Sequence, residues 1–359
     1  MDWLLFLAQL SLGVLGVLGV ATSSPETWPE HLVRVTIALA LTVVVSRVSP
    51  QRVVKVSPFF YVGVLALLAL VLVIGISPEG SDSRRWLLIG NFTLQPSELM
   101  KVAVIAYLTA FFHNHLGNWQ IWRPMLVMGL AVGLIIAEPN VSTAVFIFLL
   151  GLSVMVAAGT TIVRLVSIGA AAGLIAALIA GPYLRQFPYI SARITGFRDL
   201  WGARADTLGD TYQADRAQRI ISEAGLFGLG SGQPVSIPAA STDMIAVSLA
   251  HALGLIGVLT LIALYLFIVL RGLEIAASLK GPGALLAAGA SAYVGGQAAL
   301  NLLVAAGLLP VTGVPLPFVS DGFNSLLSVG MAMGLMQSAY REARRSAPAA
   351  AAKGPALSG

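Results

Sequence analysis

The chain has 359 residues, of which 57% are apolar and 10% charged, and its mean hydropathy is +0.87. Soluble domains carry about 25% charged residues, so this composition excludes a soluble globule and predicts a protein embedded in lipid. The chain has no cysteine, which excludes disulfides, thiolate metal sites and cysteine nucleophiles. Its formal net charge of +5 reflects the basic residues between membrane helices, described below, and does not indicate nucleic-acid binding.

Ten apolar windows along the chain are each long enough to form one membrane-spanning helix. Such a helix needs about 17 to 25 predominantly apolar residues to cross a hydrocarbon core about 30 Å thick. The predicted spans cover residues 3–21, 32–48, 57–76, 97–113, 124–138, 141–158, 161–181, 244–270, 284–308 and 323–340. The first begins after Met1-Asp2, which lacks the positive charge of a signal peptide, so we expect it to be a retained helix. The predicted fold class is an all-α polytopic membrane protein with ten transmembrane helices.

Lysine and arginine in the connections predict which helix ends face the cytoplasm. Residues 22–31, between the first two spans, contain neither, whereas the next connection carries Arg47, Arg52 and Lys55. Alternation then places both termini in the cytoplasm. The further basic residues expected on that side are Arg123, Arg164, Arg271, Lys280, Arg341, Arg344, Arg345 and Lys353.

The domain organisation follows from this topology. We expect a single membrane domain over residues 1–340, with a large extracytoplasmic loop at 183–243 between helices 7 and 8. Residues 341–359 form a cytoplasmic tail, which is rich in alanine, proline and serine near its end and is predicted to be disordered.

Four outward-facing segments are too polar, or too rich in glycine and proline, to be simple connections. They are Ser77 to Leu94, Glu138-Pro139-Asn140, the large loop, and Pro310 to Ser325. The last has three prolines and two glycines among apolar residues, which is typical of a re-entrant, non-helical piece. Such backbone is tolerated at membrane depth only where it is buried in protein or lines a wet cavity. Because all these segments lie on one face, we expect a shared extracytoplasmic cavity.

Glu98 and Lys101 lie inside the fourth span, where ionisable side chains are expensive and persist mainly at functional sites. Three residues apart, they share one face of a helix and can pair. Two interpretations are open: the pair shapes the floor of a substrate cavity, or it orients helices and touches no substrate.

The large loop is predicted to contain a short amphipathic helix, Tyr212 to Ile221, followed by a glycine-rich turn. The loop ends with Ser241-Thr242-Asp243, directly before the eighth span. Asp243 has two interpretations, a catalytic carboxylate at the outer mouth of that helix and an N-terminal cap of the helix.

The block Gln95-Pro96-Ser97-Glu98-Leu99 and the run from Leu309 to Ser320 are the most specific motifs in the chain. Shorter motifs are Arg85-Trp86, Lys101, Pro139, Thr143-Ala144, Arg193-Ile194, Tyr212-Gln213, Gly225-Leu226-Phe227-Gly228, Gly230, Thr242-Asp243, Leu253-Gly254 and Gly257. In their order and topology these motifs resemble the SEDS proteins (shape, elongation, division and sporulation), the family of RodA and FtsW.

The resemblance implies a ten-helix protein of the bacterial cytoplasmic membrane whose active face is extracytoplasmic. It implies an inverting peptidoglycan glycosyltransferase that polymerises lipid II, an undecaprenyl-pyrophosphate disaccharide-pentapeptide, for cell-wall synthesis in cell shape or division. It also implies a class B penicillin-binding protein as partner, expected to dock on the glycine-rich eighth and ninth spans, Met244 to Leu308. The essential family aspartate falls on Asp243, and the polar membrane residues fall on Gln95, Glu98 and Lys101.

The chemistry of this reaction assigns roles to these residues. A sugar hydroxyl must lose its proton as it attacks the anomeric carbon of a second sugar, so a general base is needed, and Asp243 is the candidate. The diphosphate leaving group needs positive charge. The predicted substrate-binding residues are Arg85, Gln95, Glu98, Lys101, Arg193 and Ser320. Arg85 equally fits contact with lipid headgroups, and Arg193 fits a solvated surface. No close set of carboxylates predicts a metal site, and a divalent cation that bridges the diphosphate and Asp243 stays open.

Three departures from the family pattern leave the RodA or FtsW subfamily open. Asn140 stands where Asp is common, His251-Ala252 where an acidic pair is common, and Asp321 where the family usually has Tyr. The departures favour one alternative, a weakly active scaffold for a penicillin-binding protein. A second alternative is a flippase of the lipid-linked precursor, since many spans and buried charge also mark transporters. Polarity confined to one face favours the glycosyltransferase.

Overall fold

The computed structural model describes residues 1–77, 83–90, 92–115, 121–186, 211–231, 235 and 237–352. Within these residues the chain is almost entirely helical, apart from one short hairpin and the connections. The helices are α1 (Trp3–Ser23), α2 (Trp28–Ser46), α3 (Pro50–Ile74), α4 (Pro96–Asn114), α5 (Trp122–Ala137), α6 (Val141–Ala157), α7 (Ile162–Gln186), α8 (Thr211–Ala224), α9 (Ile245–Ala277), α10 (Pro282–Ala305) and α11 (Phe323–Ala352). The antiparallel strands β1 (Leu87–Ile89) and β2 (Phe92–Leu94) form the hairpin.

Each predicted span coincides with one of these helices, and the predicted loop helix coincides with α8. Among the described residues, five helical segments are long and apolar enough to cross a membrane. They are Trp3–Ser23, Trp28–Ser46, Pro50–Ile74, Val163–Tyr183 and Ile245–Ala277. The prediction of a helical protein with several membrane-spanning segments is therefore confirmed, whereas the count of ten spans stays a prediction.

The central helix of the bundle is α4, which is buried on nearly all sides. It packs against α3, α6, α10 and α11, while α2 packs on α11 and α9 packs on α1 and α10. Glycine brings α2 and α11 together: a Cβ added at Gly330 would lie 2.7 Å from the carbonyl oxygen of Ala38. Small residues commonly permit such close approach between membrane helices. The central position of α4 buries the two charges that it carries.

The start of α1 is fixed by a polar contact with two later helices. The carboxylate of Asp2 accepts hydrogen bonds from the N–H groups of Leu4 and Leu5 at 3.1 and 3.2 Å, which caps α1. Its other oxygen accepts from Arg271 Nε of α9 at 2.7 Å. The backbone of Asp2 exchanges two hydrogen bonds with the Gln337 amide of α11, at 2.7 and 2.9 Å. These contacts join the start of the first helix to two later helices of the bundle.

The last helix corrects one sequence prediction. The tail was expected to be disordered from residue 341, yet α11 continues as a helix to Ala352. Arg341 donates to the carbonyl of Ser46 at 3.1 Å, and Glu342 accepts from Gln51 at 2.6 Å, so α2 and α3 support the extension. The end of the tail, residues 353–359, lies outside the described residues.

Helix α9 is interrupted at Gly254, where φ is 66° and ψ is −159°. The glycine-rich turn after α8 fills the interruption: Leu229 N–H donates to the carbonyl of His251 at 2.8 Å, and Leu255 N–H donates to that of Gly225 at 3.0 Å. A Cβ added at Gly228, which also has a positive φ, would lie 2.4 Å from the Ala252 carbonyl oxygen. The turn requires glycine because two backbones meet there. It makes the part of α9 before Gly254 a separate short helix that follows Asp243.

Candidate active site

Asp243 precedes Met244, the N-cap residue of α9, and is partly exposed. Met244 occupies the N-cap position of α9, and its side chain makes no capping hydrogen bond. Asp243 is therefore not itself the N-cap residue of this helix. The backbone carbonyl of Asp243 accepts a hydrogen bond from Asn301 Nδ2 at 2.8 Å. A side chain of α10 thus holds the main chain from which the Asp243 carboxylate projects.

The carbonyls of the two residues before Asp243 also accept hydrogen bonds. Ser241 O accepts from the N–H of Asp321 at 2.8 Å, and Thr242 O accepts from Ser320 Oγ at 2.6 Å. The Ser320 hydroxyl also accepts from Leu316 N–H at 2.7 Å, and Ser320 is buried. Ser320 therefore supports the backbone that leads to Asp243. Consecutive carbonyls of residues 241–243 are each bound by a different partner, which fixes the position of the carboxylate.

The Pro310 to Ser325 segment lies against Asp243. Gly313 has a φ of 71°, and a Cβ added there would lie 3.7 Å from Asp243 Oδ2. The same Asn301 amide that holds Asp243 also donates to the carbonyl of Val314 at 2.9 Å. Asp243 and this segment are thus joined by one side chain of α10.

Residues 310–322 of the segment are non-helical, as the sequence predicted, and the four carbonyls from Val314 to Pro317 each have a hydrogen-bond partner. Gln297 Nε2 of α10 donates to Pro315 O at 2.8 Å, and the Tyr265 hydroxyl of α9 donates to Pro317 O at 2.6 Å. Leu316 O accepts from Ser320 N–H at 3.0 Å. With no water in the hydrocarbon core, each unpaired carbonyl would cost several kcal/mol. Side chains of α9 and α10 remove that penalty.

The predicted pair of Glu98 and Lys101 forms within α4, at a distance of 2.6 Å. Lys101 also donates to Gln297 Oε1 at 2.8 Å, and the second carboxylate oxygen of Glu98 accepts from the Ser328 hydroxyl at 3.1 Å. The Lys101 ammonium lies 5.4 Å from the centre of the Tyr293 ring. Lys101 is 1% exposed, and protein groups surround both charges. This arrangement favours the structural interpretation of the pair over direct contact with substrate.

Gln297 and Asn301 were missed by the sequence reasoning, although they link the two clusters. Gln297 binds Lys101 and Pro315, while Asn301 binds Val314 and Asp243. They are four residues apart, so they share one face of α10. The available signal was the pair of amides within an apolar span, since polar side chains between membrane helices form interhelical hydrogen bonds.

Arg85 is half-buried and bonded to the break between α5 and α6. Its Nε donates to the carbonyl of Glu138 at 3.3 Å, and its Nη2 donates to that of Pro139. A cation there stabilises the C-terminal carbonyls of α5. These donors are engaged, so a phosphate would have to share the guanidinium with the protein. The Glu138 carboxylate is 1% exposed, and neither of its oxygens has a hydrogen-bond partner among the described residues.

The remaining candidates lie apart from Asp243 or beyond the described residues. Gln95 occupies the N-cap position of α4, where its N–H donates to Asn324 Oδ1 at 3.1 Å. Asn324 in turn donates to Thr93 O at 3.0 Å, which ties the β hairpin to the start of α11. Arg193 lies outside the described residues. Within the described part of the chain, no group of three or more His, Asp and Glu side chains could hold a metal ion.

Comparison with known proteins gives a consistent result. The profile of the FtsW, RodA and SpoVE family, described as cell cycle proteins, matches residues 4–345. The chain is 33% identical over 369 residues to a Thioalkalivibrio protein named probable peptidoglycan glycosyltransferase FtsW, covering 96% of this chain and 90% of that protein.

Solved structures share the fold. A chain solved as part of a peptidoglycan synthase complex for polymerization and crosslinking superposes with a TM-score of 0.77 at 27% identity, covering 95% of this chain and 98% of that one. The Thermus thermophilus rod shape determining protein RodA superposes with a TM-score of 0.71 at 24% identity, covering 95% and 97%.

The buried pair leads to a stability prediction. We expect Lys101→Met to lower the free energy of unfolding by about 3–5 kcal/mol, because it leaves the Glu98 carboxylate buried without a counter-charge. The double variant Glu98→Gln with Lys101→Met should recover most of that loss, since no charge is then left unpaired. Thermal unfolding of the purified protein in detergent measures both effects.

The control for this prediction is Glu274→Gln, which removes the exposed partner of Arg271. Exposed pairs contribute about 0–1 kcal/mol, so its stability should stay close to that of the parent. A Lys101→Met protein as stable as the parent would contradict the structural role of the pair.

Proposed function

The chain belongs to the FtsW, RodA and SpoVE family of cell cycle proteins, and on this basis we propose that it is a multi-pass membrane peptidoglycan glycosyltransferase that polymerises lipid II. The relatives named as probable peptidoglycan glycosyltransferases cover nearly the whole chain. Cell-wall synthesis during shape maintenance or division is the corresponding cellular role.

The observation that carries the proposed mechanism is the clamped backbone at Asp243. A general base must stand within hydrogen-bond reach of the proton that it removes, and its position must be kept by its surroundings. Bonds to three consecutive carbonyls, including that of Asp243, supply this rigidity, while the side chain remains partly exposed.

We assign the following steps to this site. The Asp243 carboxylate takes the proton from the attacking sugar hydroxyl, and the hydroxyl oxygen forms a bond to the anomeric carbon of the second sugar. The bond from that carbon to the diphosphate breaks, and the polyprenyl diphosphate leaves with the electron pair. Attack on the face opposite the leaving group inverts the anomeric configuration. Arg85 and Arg193 are the proposed sources of positive charge for the diphosphate, and a divalent cation is an additional option.

The distribution of polar groups supports an enzyme rather than a flippase. The Glu98–Lys101 pair is buried and enclosed by Gln297, Ser328 and Tyr293. The partly exposed functional candidate, Asp243, lies at one end of α9. A transporter needs polar groups accessible in turn from both faces.

The proposed topology has ten spans and cytoplasmic termini. Two contacts support this topology, because each joins two helix ends that are expected on the same side of the membrane. Asp2 meets Arg271, both predicted to be near the cytoplasmic face, and Ser241 meets Asp321, both predicted to be near the outer face.

The proposed partner is a class B penicillin-binding protein, whose single transmembrane helix would dock beside α9 and α10. The glycines that suggested this region serve internal packing instead: a Cβ at Gly289 would meet Ile105 of α4, and one at Gly295 would meet Val269 of α9. Support for docking comes from an apolar groove of about 730 Å³ between α8, α9 and α10. Exposed Leu255 and Ile262 lie along it.

Cysteine labelling tests the topology in a chain that has no native cysteine. An impermeant thiol reagent should label Thr93→Cys and Ser222→Cys in intact cells, and label Thr161→Cys and Ser346→Cys only after permeabilisation. These positions are exposed in the structure, so accessibility reports the side of the membrane. Labelling of Ser346→Cys in intact cells would contradict cytoplasmic termini.

The groove leads to a prediction about the partner. Val258→Trp fills the groove and should abolish co-purification with the penicillin-binding protein, while the fold stays intact. Leu259→Trp is the matched control, because it changes the neighbouring exposed residue, which does not line the groove. If Val258→Trp co-purifies with the penicillin-binding protein as well as Leu259→Trp and the parent do, the interface lies elsewhere.

The proposed base leads to a prediction about catalysis. Asp243→Asn keeps the size of the side chain but removes the proton acceptor, so polymerisation should fall by at least about 10² with little change in thermal stability. Asp243→Glu keeps the charge but displaces it, which also costs activity. The measurement is a gel of glycan strands made from lipid II by the purified protein, with and without the penicillin-binding protein.

The control for this experiment is Asp215→Asn, which changes an exposed carboxylate of the same loop that is paired with Arg219. It should make strands at the parental rate. Near-parental strands from a well-folded Asp243→Asn protein would overturn the assignment of the base. Strands absent even from the parent with its partner would favour the scaffold alternative.

A further inference from the structure

A charged cluster joins α2 to the segment that supports Asp243. Arg34 Nη1 lies 2.7 Å from Asp321 Oδ1, and His31 Nδ1 lies 3.3 Å from the same oxygen. The His31 side chain is fully buried, and that of Asp321 is 11% exposed. Arg34 also contacts Glu30 at 2.9 Å, where the carboxylate is 70% exposed. The cluster therefore has a buried side toward Asp321 and a solvated side toward Glu30.

Asp321 is connected to the proposed base through its own backbone. Its N–H donates to Ser241 O at 2.8 Å, and the preceding residue, Ser320, holds Thr242 O at 2.6 Å. The side chain of Asp321 is therefore anchored to α2, while its main chain binds the residues that precede Asp243. A shift of Asp321 would move two of the carbonyl contacts that fix the base.

The charge state of Asp321 suits this anchoring role. Burial by itself would raise the pKa of Asp321, but hydrogen bonds and charge from His31 and Arg34 outweigh it and hold the pKa below its ordinary value. The carboxylate is therefore ionised at neutral pH and makes charge-assisted bonds, which are about twice as strong as neutral ones.

We propose that Asp321, held by Arg34 and His31 of α2, is a positioning residue for the Asp243 carboxylate. The inference rests on the proposed function, since it assigns Asp243 as the base. It gives a role to a residue at which this chain departs from the family pattern, and it makes α2 part of the catalytic support. Asp321 itself is engaged by two basic side chains, so it acts through the backbone and not on the substrate.

The first test is kinetic. Asp321→Ala and Arg34→Ala should each lower kcat for lipid II polymerisation by about 10- to 100-fold, the loss expected from a base misplaced by about 1 Å. KM should change little, because no substrate contact is removed. The double variant should lose no more than either single variant, since both remove the same interaction. Arg34→Lys, which keeps the charge, should recover most of the activity that Arg34→Ala loses.

The control variant is Glu30→Gln, which removes the exposed partner of Arg34 and leaves Asp321 in place. Its kcat should equal that of the parent. If Asp321→Ala fails to fold, Asp321→Asn and the two Arg34 variants carry the test, because Asp321→Asn preserves side-chain volume and Arg34 is the more exposed partner of the ion pair.

A second measurement does not depend on activity. Thr242→Cys, next to the base, is labelled with a small thiol reagent in the parent and in the Asp321→Ala, Arg34→Ala and Glu30→Gln backgrounds. Loss of the charge-assisted bond should raise the labelling rate by about tenfold or more in the first two backgrounds, and leave it unchanged in the third.

The two measurements separate failure of this inference from failure of the proposed function. A parent that polymerises lipid II, with Asp243→Asn inactive but the Asp321 and Arg34 variants at parental kcat, would overturn the positioning role alone. A parent that makes no glycan would overturn the function, and the labelling rates would then decide by themselves whether the cluster fixes the backbone at Thr242. Unchanged labelling in the Asp321→Ala background would overturn the inference.

Discussion

The need to satisfy buried backbone carbonyls determines the architecture around Asp243. Residues 310–322 form no continuous helix, and in a medium without water the carbonyls that this leaves unpaired need partners from other elements. Asn301, Gln297 and Tyr265 supply those partners to Val314, Pro315 and Pro317. These side chains must lie opposite the carbonyls that they bind. The hydrogen bonds therefore fix the positions of α9 and α10 relative to the segment.

The same side chains connect the segment to the two groups of functional interest. Asn301 shares its amide between Val314 and Asp243, and Gln297 shares its amide between Pro315 and Lys101. The buried charges of α4 are thus linked to Asp243 through two side chains of α10. Buried pairs of this kind often specify a unique arrangement of helices more than they add stability. Here the pair binds Gln297 of α10, the helix whose Asn301 holds the backbone of Asp243.

Asp321, one of the departures from the family pattern, and the nearby Asn324 both have structural roles. Asp321 binds Ser241 through its N–H and two basic residues of α2 through its carboxylate. Asn324 ties the β hairpin to the start of α4 by bonds to Thr93 and Gln95. These contacts favour the reading of the chain as a working enzyme with its own set of supports, rather than as a degraded relative that only holds a partner.

The sequence by itself determined the apolar windows, the Glu98–Lys101 pair and the position of Asp243 at a helix mouth. These depend on local rules, because a membrane helix satisfies its own backbone and residues three apart on it face the same way. The motifs of the chain also identified its family. Only the tertiary structure decided that Arg85 binds the carbonyls of the α5–α6 break, that Asn301 holds Asp243, and that α11 continues beyond residue 340, where Arg341 and Glu342 contact α2 and α3. Each of these contacts joins residues that are far apart in the chain, and hydropathy and spacing within one segment contain no information about which distant group will stand opposite.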